Sequence, residues 1–181
     1  MPGSDTPPLF GIGHSTLALE DFLARLQAHA IGCVVDVRRL PGSRRFPHFD
    51  AQVLAPALAS HGIDYLHATG LGGRRGRSLP PGEPSPNGFW QNASFRRYAD
   101  YAMGEDFHAA LGALLDRAAT QRCVLMCAEV LWWRCHRRII ADYALAAGRV
   151  FCHIQGDGRA ASATMTPAAK RAGDHLIYPA E

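Results

Sequence analysis

Residues 123–148 read CVLMCAEVLWWRCHRRIIADYALAAG, and their division decides the fold. Cys123 to Glu129 is a short apolar run without polar alternation, the pattern of a strand buried on both faces of a parallel sheet. Farther on, Ile139, Ile140, Tyr143, Ala144 and Ala147 repeat at helical spacing, and Gly148 follows where a helix C-terminus favours left-handed backbone. The stretch therefore reads as strand, basic connection, helix.

The same alternation extends in both directions. Further strand-like runs lie at Leu9 to Gly13, Cys33 to Arg38, Asp64 to Thr69 and Val150 to Gln155. Leu19, Phe22, Leu23 and Leu26 give one helical face, and Phe107, Leu111, Leu114, Leu115 and Ala118 give another. Ala51 to Ser60 is a weaker helix interrupted by Pro56. The order β-α-β-α-β-α-β-α-β predicts a single three-layer α/β domain with a central, mostly parallel, five-stranded Rossmann-like sheet. The expected strand order is 3-2-1-4-5, which places the topological switch, and hence a ligand, between the first and fourth strands at their carboxyl ends. The α/β domain spans residues 9–155, between a flexible N-terminus at 1–8 and a tail at 156–181 that packs on the domain. Gly70 to Asn92 is a long Gly- and Pro-rich loop with three arginines, read as a lid or partner contact.

With 181 residues, 48% of them hydrophobic and 19% charged, the chain has the composition of one globular domain. No apolar run approaches the roughly 18 residues that cross a bilayer, so no membrane partner is expected. Met1 to Pro8 lacks the basic start and apolar stretch of a secretory signal, and five cysteines make an odd count for a disulfide framework. The expected location is the cytoplasm. Eighteen arginines stand against one lysine, Lys170. GC-rich coding explains such a bias, but arginine also offers a planar fork suited to phosphate.

The strand ends carry the candidate chemistry. Gly11-Ile12-Gly13-His14-Ser15-Thr16 follows the first strand, with His14 as a general acid or base and Ser15 as a cap. It lacks the third glycine and the acidic residue of a dinucleotide fingerprint, and no other cofactor motif is present. At the second strand end, alternation puts Asp36 and Arg38 on one side. They form either a structural ion pair or a grip on substrate hydroxyls and phosphate. Arg44 and Arg45 follow in a loop that serves as an anion contact or simply as solvated surface.

The fourth strand ends in Cys127 and Glu129, followed by Trp132, Trp133, Arg134, Cys135, His136, Arg137 and Arg138 at the helix start. Free N–H groups and the helix dipole there favour an anion and lower a thiol pKa. Three chemistries compete. A cysteine nucleophile in an anion-wrapping loop, as in rhodaneses and tyrosine phosphatases, needs an arginine six residues past the cysteine; Trp133 occupies that place and Arg134 falls one later. A metal site could draw on Cys127, Cys135, His136 and one more histidine. Adjacent helical residues point about 100° apart, however, and no C-x-x-C or H-x-x-x-H is present, so no metal ligand is assigned. In the third reading Glu129 works and the basic helix start holds phosphate. The plain alternatives are a Glu129 salt bridge to Arg137 or Arg138 and a core role for the tryptophan pair.

The strings GIGHST, VDVRRLPGSRRFPHF, SFRRYADYAM and MCAEVLWWRCHRRIIADYALAAG, in this order, resemble the DUF488 family of domains of unknown function. The resemblance runs from about Leu9 to Ile154, and weakly into the tail, where Met165-Thr166-Pro167 stands for Leu-Thr-Pro. Many members carry Asp-Pro between the CAE and CHR blocks; here Leu131-Trp132-Trp133 stands instead, so no role of that Asp carries over. The resemblance implies a site from residues in the motif blocks: His14, Asp36, Arg38, Arg44, Cys127, Glu129, Cys135, His136 and Arg137.

Together these readings predict an enzyme, a transferase or hydrolase, acting on a small phosphorylated or nucleotide-like ligand. Cys127, Glu129, His14 and Asp36 are the catalytic candidates; Ser15, Arg38, Arg44, Arg45, Arg134, Cys135, His136 and Arg137 are the anion-binding ones. The alternative is a non-catalytic nucleotide or nucleic-acid binding module, and the third reading is a metal-dependent enzyme with Cys and His ligands. A nucleic-acid partner would show steep salt dependence, which the net charge of +3 argues against.

Overall fold

A computed structural model describes residues 5–181. Six strands form the main sheet: β1 (Leu9–Gly13), β2 (Cys33–Asp36), β3 (Asp64–His67), β4 (Cys123–Cys127), β5 (Phe151–Ile154) and β6 (Ala160–Ser162). Five helices connect or flank them: α1 (Leu19–Ala28), α2 (Ala51–Ala59), α3 (Ala93–Ala102), α4 (Glu105–Ala118) and α5 (Arg137–Ala146). A separate antiparallel pair, β7 (Lys170–Ala172) and β8 (His175–Ile177), closes the chain.

The sheet is α/β and mostly parallel, in the order β3-β2-β4-β1-β5-β6. Two features correct the expectation. The fourth strand lies between the first and second rather than outside the first, and an antiparallel sixth strand extends the edge. Both β1 and β4 are apolar runs buried along nearly their whole length, so nothing in their composition ranks one as more central. Gly13 supplies the tertiary reason: a Cβ there would sit 1.9 Å from the Glu129 carbonyl oxygen, so its hydrogen side chain lets the end of β1 press on the chain leaving β4.

The layers follow from alternation along the strands. Phe10, Ile12, Val34, Val124 and Met126 face one way and bury Phe22, Leu23 and Leu26 of α1 and Leu54 and Leu58 of α2. Leu9, Cys33, Val35, Cys123, Leu125 and Phe151 face the other way, against α3, α4 and α5. The connections leaving β1 and β4 thus depart to opposite faces while the strands themselves are neighbours. The switch point between them survives the change of order.

Local structure departs from expectation in two places. α2 runs through Pro56 without a break. α3 was not anticipated; it starts where the Asn92 side chain accepts hydrogen bonds from the Ser94 and Phe95 amides at 2.8 and 3.3 Å. Gly148 ends α5 with φ +80°. Of the N-terminus expected to be flexible, residues 1–4 lie outside the described residues, and the Pro7 carbonyl accepts from Arg149. In the tail, β6 pairs with β5 and Tyr178 is fully buried, its hydroxyl donating to Asp142 at 2.9 Å. Among the described residues no helix is long and apolar enough to cross a membrane.

Candidate active site

Three strand ends meet in register. Gly13 of β1 lies beside Cys127 of β4, and Asp36 of β2 beside Met126. Backbone pairing continues past the strands: His14 N–H donates to the Cys127 carbonyl at 2.8 Å, Ser15 N–H to Ala128 at 3.0 Å, and Val37 N–H to Met126 at 3.0 Å. The loops that follow splay apart around a cavity of about 340 Å³. His14, Arg38, Arg39, Ser43, Arg74, Cys127 and His136 line it, and among the described residues no carboxylate does.

Asp36 and Arg38 form a buried pair, with Asp36 fully buried and Arg38 6% exposed. Arg38 donates from Nε at 2.9 Å and from Nη2 at 2.7 Å, and Asp36 also accepts from the Tyr65 hydroxyl at 2.6 Å. Burial opposes the Arg38 cation, but the Asp36 carboxylate outweighs it and raises the pKa. The same burial and the same carboxylate push the Tyr65 phenol up. Arg38 is thereby fixed as a permanent charge, with Nη1 turned to His14 Nε2 at 3.4 Å.

His14 donates from Nδ1 to the Ser15 carbonyl at 3.0 Å, which leaves Nε2 as the acceptor facing Arg38. Burial, reinforced by the Arg38 charge, lowers its pKa to about 4, so the imidazole is neutral at neutral pH. Its ring stacks on Phe49, with centroids 4.1 Å apart. Ser15 and Arg74, with φ of 44° and 55°, hold left-handed backbone although neither is glycine. Such strain costs about 1–2 kcal/mol per residue and gathers at functional sites.

Behind the cavity the two thiols of the basic segment come together. Cys127 Sγ, Cys135 Sγ and a nitrogen of His136 all lie within 4.8 Å of one another. A hydrogen bond from the Cys127 thiol, with help from the Arg137 cation, holds the Cys135 thiol well below its ordinary range. Cys127, as donor in that bond and half-buried, is pushed up. Arg137 is fully buried; its Nε donates to Cys135 Sγ at 3.2 Å and its Nη2 to the Glu129 carbonyl, while Nη1 has no partner among the described residues. Cys135 has extended backbone, at φ −123° and ψ 147°, and His136 is the residue before α5 begins. The 100° separation of helical neighbours therefore does not apply to this pair, and one residue set can serve as metal ligands.

The sequence candidates separate into three groups. His14, Arg38, Cys127 and His136 share the cavity, with Asp36, Cys135 and Arg137 directly behind them. Glu129 turns aside: its carboxylate accepts from the Leu131 amide at 3.0 Å, a capping role that fixes the loop after β4. Arg44, Arg45 and Arg134 are solvent-exposed and outside the lining, and Ser15 contributes backbone only. Trp132 stacks flat on His153 at 4.4 Å and 6°, whereas Trp133 is 47% exposed. Sequence reasoning missed Arg39, Tyr65 and Arg74 as site residues. The run Gly72-Gly73-Arg74-Arg75 carried a signal for Arg74, since glycines beside arginines in a long loop permit close approach; Gly73 indeed packs on the His136 ring.

A family model described as a domain of unknown function, DUF488, matches residues 18–144. The match takes in every residue of the site named above except His14 and Ser15, which precede it, and His153, which follows it. Comparison with curated proteins and with solved structures found no match.

Proposed function

The chain belongs to the DUF488 family, whose description assigns no reaction, and from its cleft we infer an enzyme of the hydrolase or transferase type that acts on a small phosphorylated or nucleotide-like substrate. The observation that carries this reading is the cavity wall: three arginines, Arg38, Arg39 and Arg74, two imidazoles and a thiol, with no acidic side chain among them. Guanidinium forks facing a common space suit phosphate oxygens. A volume of about 340 Å³ takes a sugar phosphate or a mononucleotide and is too small for a duplex.

Roles follow from placement. Arg38, locked by Asp36, presents a fixed charge, and Arg39 and Arg74 reach in from two loops that touch, Arg39 Nη1 donating to the Arg74 carbonyl. Neutral His14 accepts or relays a proton at Nε2 once substrate displaces the Arg38 contact. Cys127 and His136 supply the reactive floor, and Glu129 holds the loop beneath them. The reading places the protein in the reducing cytoplasm, where such thiols persist.

Inorganic pyrophosphate is the direct probe. Calorimetry on the wild-type chain should show binding that weakens at least about 10-fold in each of Arg39→Ala and Arg74→Ala, the loss of one charge-assisted hydrogen bond. Cys127→Ser should bind pyrophosphate normally and show no turnover across a panel of sugar phosphates and nucleotides that the wild type converts. Pyrophosphate binding that ignores both arginines overturns the anion assignment. Full turnover by Cys127→Ser overturns the catalytic one.

A further inference from the structure

We propose that Cys127 Sγ, Cys135 Sγ and His136 Nδ1 form a three-ligand site for a thiophilic divalent cation, zinc above all, with its fourth position open to the cleft. The geometry carries this in three steps. Zn–S and Zn–N bonds of about 2.3 and 2.05 Å at a tetrahedral angle put sulfur and nitrogen about 3.6 Å apart and two sulfurs about 3.8 Å apart. Cys135 Sγ and His136 Nδ1 stand 3.6 Å apart, and no ligand pair exceeds 4.8 Å. An ion would therefore need at most about 1 Å of side-chain adjustment, with the sulfur–nitrogen edge already at the spacing of a shared tetrahedron.

The outer contacts fit as well. His136 Nε2 donates to the Val37 carbonyl at 2.9 Å, which leaves the Nδ1 lone pair directed at the sulfurs. This is the anchoring that metal-bound histidines receive. Arg137 Nε donates to Cys135 Sγ at 3.2 Å, as outer-shell donors do to a coordinated thiolate. Two thiolates and one imidazole suit zinc rather than magnesium or calcium, which prefer oxygen ligands.

Access is equally defined. Cys135 is buried, while Cys127 and His136 both line the cavity. A closed structural site would use four protein ligands, whereas three ligands at the back of a cleft leave a position for water or a substrate oxygen. Arg38, Arg39 and Arg74 line the same cavity as Cys127 and His136. The catalytic consequence, a metal-held oxygen beside an anion grip, rests on the reading of the cleft as an active site; binding of the metal does not.

Cobalt(II) tests the site on the full-length, reduced and chelator-treated chain. One equivalent should give the intense visible bands of tetrahedral cobalt and a thiolate charge-transfer band in the near ultraviolet, both displaced by zinc. Cys135→Ser and His136→Ala should each weaken cobalt binding by at least the roughly 10- to 100-fold that loss of an outer-shell partner costs. Cys152→Ser, outside the cluster, should change nothing. Absence of binding, a weak octahedral spectrum, or affinity unchanged in His136→Ala overturns the proposal.

Should the variants fail to fold, the wild type decides. The zinc X-ray absorption edge of the wild-type chain loaded with one equivalent should show two sulfurs and one nitrogen at about 2.3 and 2.05 Å; a first shell of oxygens alone overturns the site. Pyrophosphate calorimetry separates the two readings. Cobalt bound without pyrophosphate retains the metal and removes the proposed substrate class, and pyrophosphate bound without cobalt does the reverse.

Discussion

Acid should unfold this protein through two buried imidazoles, His14 and His153. Each is held to a pKa of about 4, by burial first and then by a neighbouring arginine, Arg38 for His14 and Arg137 for His153. In the unfolded chain both titrate near 6.5. Above that value both are neutral in either state and contribute no pH dependence. Below it the unfolded chain takes up protons that the folded chain refuses, so stability falls as the pH drops from 6.5 towards 4.

Lowering each pKa from 6.5 to about 4 costs about 3 kcal/mol per imidazole by pH 4, so the pair removes about 6 kcal/mol, comparable with the whole stability of many domains. Asp142 acts oppositely, because burial raises its carboxyl pKa and acidification relieves that cost. His153→Phe isolates one imidazole: the ring still stacks on Trp132, and the Nδ1 that is lost has no partner among the described residues. Any repacking cost is independent of pH, and Asp142 cancels in the difference. Urea unfolding followed by circular dichroism, with chelator present, should show about 3 kcal/mol less acid destabilisation in His153→Phe than in wild type between pH 6.5 and 4. Equal pH dependence in the two proteins would refute the assignment.

Other consequences are mechanical. Gly13→Ala places a methyl carbon on the Glu129 backbone, where no rotamer change relieves it; about 3 kcal/mol or more should lower Tm and abolish pyrophosphate binding together. Asp36→Ala strands the buried Arg38 cation and should destabilise by about 3–5 kcal/mol, with part recovered in Asp36→Ala/Arg38→Met, as measured by denaturant midpoints. Asn87 is fully buried and joins the long loop to the tail, donating to Asp100 at 2.7 Å and accepting from the Tyr178 amide at 2.9 Å. Asn87→Ala should cost about 1–3 kcal/mol and speed hydrogen exchange at Tyr178 while leaving pyrophosphate affinity unchanged.

Much of the architecture was legible in the chain because burial writes itself into composition. Strand-like runs marked the five parallel strands, although β3, at the sheet edge, alternates and is partly exposed rather than buried, and 3.6-residue repeats marked three of the five helices, with α2 read more weakly. α3 has an unbroken face of Phe95, Tyr98, Ala99 and Ala102, but it is short and two of its four members are alanine, and the Asn92 cap that starts it closes a stretch that otherwise reads as loop. The site was legible where a strand end fixes direction, as for His14, Asp36, Arg38 and Cys127. It was not legible where a loop does, as for Arg44, Arg45 and Arg74, since loop sequence does not set the path of the chain.

Sequence by itself determined that strands would alternate with helices and that thiol, imidazole and guanidinium groups would collect at their carboxyl ends, because periodicity and strand polarity are local properties. Only the tertiary structure decided that β4 inserts beside β1, that Glu129 turns to cap its own loop, and that Cys135 and His136 converge with Cys127. Those outcomes depend on which surfaces touch. Gly13 permits one such contact through the side chain it lacks, and an absent atom has meaning only once its neighbour is in place.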